Sequence, residues 1–157
     1  MNPKVSKLAK ADIEIFCSDL SKLSQETNYF PKEALAYYDS VYSQKQIELN
    51  LDRLLILIVK EKNDIQGLLL GSSPEGGVGT IIWLLVKPTV QKSGLGALLF
   101  ESAMDEYRQR GCHKVKLTVP KKEVVSFYEK QGMKLEGFHP NHWWNMDIWS
   151  MGINLKN

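Results

Sequence analysis

The sequence predicts an α/β domain, and three observations carry that reading. The first is an amphipathic stripe in the opening third: Ile13, Phe16, Leu20 and Leu23 fall at i, i+3, i+7 and i+10, one face of a helix. The second is a middle section of three apolar runs of strand length, at 54–60 (LLILIVK), 65–71 and 80–87 (TIIWLLVK). The third is a second half in which strand, polar loop, helix, strand and helix follow one another as far as Gly132.

Each element has its local reason. The stripe predicts a first helix over 12–23, interrupted at Tyr29-Phe30-Pro31. Pro31 suits the entry of a second helix over about 32–49, where Leu35, Tyr38, Val41 and Tyr42 recur at helical spacing. Lys62-Asn63-Asp64 is a turn between the first two apolar runs, which makes them a hairpin. The stretch 72–79, rich in Gly, Ser and Pro, is a loop. The run 80–87 is apolar almost without break and is expected to be buried on both faces at the centre of the sheet, closing at Pro88. A helix over 94–110 carries Leu95, Leu98 and Leu99 and stops at Gly111. Val115, Leu117 and Val119 alternate with polar residues, a half-buried strand ended by Pro120. A short helix over 121–131 has Val124, Phe127 and Tyr128 on its expected buried face, and two strands around His139-Pro140-Asn141 finish the chain.

At 157 residues the chain fits one domain, 1–157, large enough to bury a core without disulfides or a structural metal. A formal charge of +2, with no basic block longer than Lys121-Lys122, argues against nucleic acid as partner. Cys17 and Cys112 lie too far apart in sequence for a C-x-x-C or zinc pattern and point to a reducing compartment. No apolar run approaches membrane-spanning length, and residues 1–10 lack the apolar stretch of a signal peptide. The expectation is a cytoplasmic protein without membrane partners.

The chemistry concentrates in residues 86–96. An apolar strand ends at Pro88, passes through a polar loop and enters a helix through Gly94-Leu95-Gly96. Bare backbone and unpaired amides at a helix start can cradle an anion, and the helix dipole favours it. Lys92 adds a positive charge at the rim, so the segment reads as a pyrophosphate site; tight packing of the helix start is the alternative reading of the same glycines. Two other phosphate loops fail here. The Walker pattern needs Lys-Ser/Thr after the last glycine, and the dinucleotide fingerprint needs glycine at position 99, which is Leu99.

The pattern that fits is Q/R-x-x-G-x-G/A, here Gln91-Lys92-Ser93-Gly94-Leu95-Gly96. It resembles the acyl-CoA signature of the GNAT superfamily of N-acetyltransferases. The likeness extends over roughly 54–155, through Leu84-Leu85-Val86-Lys87-Pro88, Arg108-Gln109-Arg110-Gly111 and Phe127-Tyr128-Glu129-Lys130-Gln131-Gly132-Met133. The resemblance implies a GNAT-type mixed, mostly antiparallel sheet with helices on both faces, and acetyl transfer from acetyl-CoA to a primary amine. It implies that amides from Gln91 through Gly96 bind the pyrophosphate of coenzyme A. Leu85 and Val86 would pair their backbone with the pantetheine arm, and Tyr128 would protonate the departing thiolate. A phenol with its usual pKa near 10 is protonated at neutral pH and fits that role; packing on the helix's buried face is the other reading of Tyr128. Two positions depart from the family pattern: Lys121 stands where asparagine is frequent, and Met133 where phenylalanine is.

No carboxylate occurs in Ile81-Ile82-Trp83-Leu84-Leu85 to serve as general base. His139 and His142 titrate in a useful range but flank a turn, and their spacing offers a metal no third ligand; no metal is expected. Tyr37, Tyr38 and Tyr42 on the second helix, with Trp143, Trp144 and Trp149 near the end, are placed to form an aromatic wall on the acceptor side or to pack the core. Asp147 is a candidate attractor of a cationic amine. The acceptor is expected to be a small-molecule or peptide amine, and a homodimer is an open oligomeric alternative. The rival readings are a non-catalytic acyl-CoA-binding or sensing module and an enzyme that modifies protein N-termini or lysines.

Overall fold

The computed structural model describes residues 2–155. Helix α1 (Ile13–Glu26) forms where the stripe predicts, and Ile13, Phe16, Leu20 and Leu23 are all buried against the sheet. Burying each such side chain contributes roughly 1.5–3 kcal/mol, which is what docks the helix. The second predicted helix is two. Helix α2 (Lys32–Val41) ends at Tyr42, and Ser43, with extended backbone and its Oγ accepting from the Gln46 N–H at 3.4 Å, caps a new helix α3 (Gln44–Asn50). Ser43 is an N-cap residue in mid-pattern, and the spacing of apolar residues does not reveal the change of axis.

Seven strands form one sheet: β1 (Val5–Lys7), β2 (Leu55–Glu61), β3 (Asp64–Gly71), β4 (Val78–Val86), β5 (Lys114–Val119), β6 (Lys134–His139) and β7 (Ile148–Asn154), in the order β1-β2-β3-β4-β5-β7-β6. Strand β1 is too short to have been read from the sequence; it pairs with β2 from Val5↔Val59 to Lys7↔Leu57. Every neighbouring pair is antiparallel except β4 and β5, which run parallel. Helices cover both faces. On one lie α4 (Leu95–Gln109) and α5 (Lys122–Lys130), packed on Leu55, Leu57, Leu69 and Leu117; on the other lie α1 and α3, packed on Ile56, Ile58, Leu68 and Leu70. This double covering explains the unbroken apolar run in β2, whose alternate residues enter different cores.

The fully apolar β4 run is explained differently from the expectation. Its residues alternate between buried and half-buried, and its two ends have different neighbours. A bulge sits opposite Leu70 and Gly71: Leu70 pairs with Trp83 and Gly71 with Ile81, so Ile82 is the extra residue. Ile82 and Trp83 therefore both face the α1 side, while Ile81 and Leu84 face α4.

Strands β4 and β5 pair only from Val78↔Lys114 to Thr80↔Lys116, then part. At the paired end Tyr107 of α4 lies over the sheet. Its hydroxyl donates to the carbonyls of Ser72 (2.9 Å) and Thr80 (3.2 Å), and a Cβ on Gly79 would come within 2.5 Å of the ring. The other end of the seam is open and forms the cleft.

Candidate active site

Where β4 and β5 part, a cleft of about 520 Å³ opens between them, bounded by the start of α4, by α5 and by the α1–α2 connection. The bulge decides what β4 offers to it. Before the bulge, Thr80 turns its carbonyl toward the β3 side, accepting from the Ser72 N–H at 2.8 Å. After it, Lys87 does so, its N–H donating to the Gln66 carbonyl at 2.9 Å. Peptide groups alternate along an antiparallel ladder, so Trp83 and Leu85 also bond to β3, and those of Leu84 and Val86 face the gap. One extra residue has exchanged which residues face β3. The Val86 carbonyl receives the Gln91 side-chain amide at 3.3 Å.

The entry to α4 is built from unusual backbone. Lys92 (φ 63°) and Gly94 (φ 87°) are left-handed on either side of Ser93, and Leu95 begins the helix. Such alternation turns successive N–H groups toward one side and makes an anion-binding concavity, to which the unpaired first amides of α4 add. Gly94 has the conformation glycine adopts without strain, with nothing within 4 Å of a built Cβ. Gly96 serves packing as well, because a Cβ there would lie 3.3 Å from the Phe127 ring of α5. Gly94 thus supplies backbone freedom and Gly96 close packing, one at each glycine. The Ser93 hydroxyl donates to the Val90 carbonyl and fixes the loop from within.

Gln91, Lys92, Gly94, Leu95 and Gly96 line the cleft together with Leu85, Val86 and Tyr128; Ser93 does not, since its side chain is turned back on the loop. Tyr128 is 7% exposed, its ring against Phe127 and Phe100 at centroid distances of 5.0 and 6.0 Å. Burial alone pushes its phenol far above the ordinary tyrosine range. The buried partner of Tyr128 on α5 is Val125, while Val124 and Phe127 are half-buried and line the cleft, a one-residue rotation from the face expected.

Three further lining residues, Thr27, Tyr29 and Phe30, come from the α1–α2 connection, which the sequence marks only as an interruption. Two adjacent aromatics before a proline were the available signal. Thr118, Val119 and Pro120 supply the β5 side.

The remaining candidates lie elsewhere. His139 and His142 lie with ring centroids 5.4 Å apart and planes tilted by 56°, and the His139 Nε2 is 3.2 Å from the Ser150 hydroxyl; neither lines the cleft. Among the described residues no group of three or more His, Cys, Asp or Glu is placed to hold a metal. Asp147 accepts the Asn141 N–H at 2.9 Å and so holds the β6–β7 connection. The paired tryptophans diverge: Trp143 is about half-exposed beside His142, whereas Trp144 lies 5.5 Å from both Tyr37 and Tyr38. Trp149 packs on Phe138 instead. Trp83, on the bulge, joins Phe30 and Tyr38.

The sheet parted beside a glycine-led helix, with Tyr128 lining the opening, makes this a mixed α/β domain with its cleft at the seam. The model of the acetyltransferase (GNAT) family matches residues 17–133, and the chain belongs to that family. Solved structures share the fold. The acetyltransferase of the GNAT family from Streptococcus pneumoniae superposes with a TM-score of 0.79 at 18% identity, covering 99% of this chain and 100% of that one. The PaiA N-acetyltransferase from Thermoplasma acidophilum, in complex with coenzyme A, gives 0.76 at 20% identity, over 96% and 98%. The ribosomal-protein-S18-alanine N-acetyltransferase from Escherichia coli gives 0.72 at 20%, over 99% and 95%. No curated protein matches the chain in sequence. Among the described residues no helix is long and apolar enough to cross a membrane.

Proposed function

We propose that the chain is an N-acetyltransferase that uses acetyl-CoA to acetylate a primary amine. The observation that carries this reading is the convergence, in one cleft, of the free β4 edge, the left-handed loop leading into α4, and Tyr128. The bare backbone at Gly94 fits a pyrophosphate, and the coenzyme A complex of the Thermoplasma neighbour supports the same ligand class here. When bound, acetyl-CoA supplies the activated thioester. The amides from Gln91 through Gly96 hold the pyrophosphate, with Lys92 at its edge. The β4 edge binds the extended arm; its register favours the peptide groups of Leu84 and Val86, with Leu85 contributing to the wall.

Tyr128 keeps its proton at any working pH, because burial disfavours the phenolate. The same burial makes it a weaker acid than a free phenol, and the role we assign it is to pass that proton to a thiolate that develops beside it. No Asp or Glu is among the residues lining the cleft, so the amine gives up its proton to water or arrives neutral. The free thiols Cys17 and Cys112 support a reducing compartment such as the cytoplasm.

Calorimetric titration with acetyl-CoA, beside free coenzyme A, NAD and ATP, tests the reading. Micromolar binding of the two coenzyme A species alone, abolished when Gly94 and Gly96 are both replaced by valine, is the expected result. Absence of binding by a folded sample would overturn it. A non-catalytic acyl-CoA module would bind in the same way yet release no coenzyme A thiol with any amine.

A further inference from the structure

A second cavity, of about 310 Å³, opens on the α1 side of the sheet, between α1 and the turn from α2 into α3. Among the described residues Trp83 alone lines both this cavity and the cleft, and nothing from the loop 91–94, α4 or α5 reaches it. On the cleft side Phe30 stands 5.1 Å from Trp83, so the two spaces are divided by aromatic rings.

Its polar lining follows from helix periodicity. Glu14 and Ser21 lie on one face of α1, and a step of seven residues carries them roughly 10 Å along the axis. The Ser21 hydroxyl donates to the Asp39 carboxylate of α2 at 3.3 Å. Asp39 therefore stands at the Ser21 end of the cavity and Glu14 at the other. Neither carboxylate has an ion-pair partner among the described residues, and no Lys, Arg or His is among those that line the cavity.

The walls carry the rings of Trp83, Tyr38 and Tyr42, the two tyrosines parallel to within 9° at 6.4 Å. Burial is the largest cause that raises both phenols above the ordinary tyrosine range, so the rings stay neutral. Neutral ring faces attract a cation, and unpaired carboxylates accept its N–H groups. A single ammonium group satisfies one end only. An alkanediammonium reaches both ends and lays its methylenes along the rings.

From this we infer that the cavity between α1 and the α2–α3 turn is a second binding site, for a slender organic diammonium ion, separate from the site of acetyl transfer. Glu14 and Asp39 each take one ammonium group, and Trp83, Tyr38 and Tyr42 cover the chain between them. The occupant is an additional ligand and not the acceptor, because Trp83 and Phe30 close the cavity toward the cleft. The site goes beyond the acetyl-CoA reading and does not rest on it.

Calorimetric titration of the full chain with cadaverine tests it, beside pentylamine and with coenzyme A present or absent. Cadaverine is expected to bind once per chain, at least about tenfold more tightly than pentylamine, the contribution of one charge-assisted hydrogen bond. Coenzyme A is expected to leave that affinity within about twofold. Glu14→Gln and Asp39→Asn are each expected to weaken cadaverine by about five- to tenfold at native melting temperature. Cys17 gives an independent report, since it lines the cavity while Cys112 is fully buried. Cadaverine at about ten times its dissociation constant is expected to slow alkylation of Cys17 by about fivefold or more. Absence of binding would overturn the inference, as would pentylamine binding as tightly as cadaverine. Binding that leaves Cys17 unprotected, or that neither variant weakens, would overturn it too. Displacement of cadaverine by coenzyme A, or acetylation of cadaverine with a KM raised in Glu14→Gln, would overturn the separation from the cleft. Because the readouts are binding and alkylation, the result stands whether or not acetyl-CoA binds.

Discussion

Two buried tyrosines stand at opposite ends of the seam between β4 and β5, and their surroundings differ in the one respect that separates structure from chemistry. Tyr107 closes the paired end, fully buried, its hydroxyl committed to the carbonyls of Ser72 and Thr80. Tyr128 faces the parted end, and desolvation is the sole cause of its displaced pKa. The Tyr107 phenol is spent on the fold, whereas Tyr128 lines the cleft. The difference comes from the bulge at Ile82 and the divergence of β5, since the residue type is the same.

The largest expected effect breaks the comparison at the open end. Tyr128→Phe is expected to lower kcat by on the order of 10²-fold or more, the usual contribution of a general acid, while acetyl-CoA affinity and melting temperature are retained. Steady-state kinetics beside calorimetry checks it; unchanged kcat would make Tyr128 a packing residue. At the closed end the effect falls on stability. Gly79→Ala drives a methyl into the Tyr107 ring and is expected to cost about 1–3 kcal/mol in urea unfolding, as overpacking does.

Tyr107→Phe is expected to cost about 1–3 kcal/mol by leaving the Ser72 carbonyl without its hydroxyl donor, while the Thr80 carbonyl keeps the Ser72 N–H, with kcat unaffected. Its pH dependence sharpens the assignment. Burial, the largest cause, pushes the Tyr107 phenol up to about 12 in the folded protein, whereas an unfolded tyrosine titrates near about 10. The folded state thus holds the proton more tightly. The stabilisation is complete below the unfolded pKa and is lost as pH rises through the folded one. The gap between wild type and Tyr107→Phe is expected to narrow over that window in unfolding measurements.

The smallest expected effect is at Gly94. Gly94→Ala meets no atom but must hold φ near 87°, and is expected to cost about 1 kcal/mol in thermal unfolding. It leaves the helix start in place, so any loss of acetyl-CoA affinity beyond that reports on the loop amides themselves.

Much of the fold was legible because it rests on periodicity. The α1 stripe, the β2–β3 hairpin and the alternation of Val115, Leu117 and Val119 each state a face to bury, and each is buried as read. The glycine loop was legible because backbone freedom at Gly94 has to be written into the sequence as glycine. The break at Ser43 and the rotation of α5 toward Val125 were not, since apolar spacing over a few residues admits neighbouring solutions. Nor was the part taken by Thr27, Tyr29 and Phe30, which reach the cleft only because α1 and α2 dock on the same face of the sheet.

The sequence by itself determined the family, the sheet-forming segments and the loop with bare backbone, because these depend on residue type and short-range order. Only the tertiary structure decided which peptide groups of β4 face the gap, which of two tyrosines lines the cleft, and that Trp144 rather than Trp143 meets Tyr37 and Tyr38. Those outcomes turn on one extra residue in a strand and on left-handed backbone at Trp144 in a distant hairpin. Pairing and packing between segments far apart in the chain decide them, and no local pattern of residues encodes such distances.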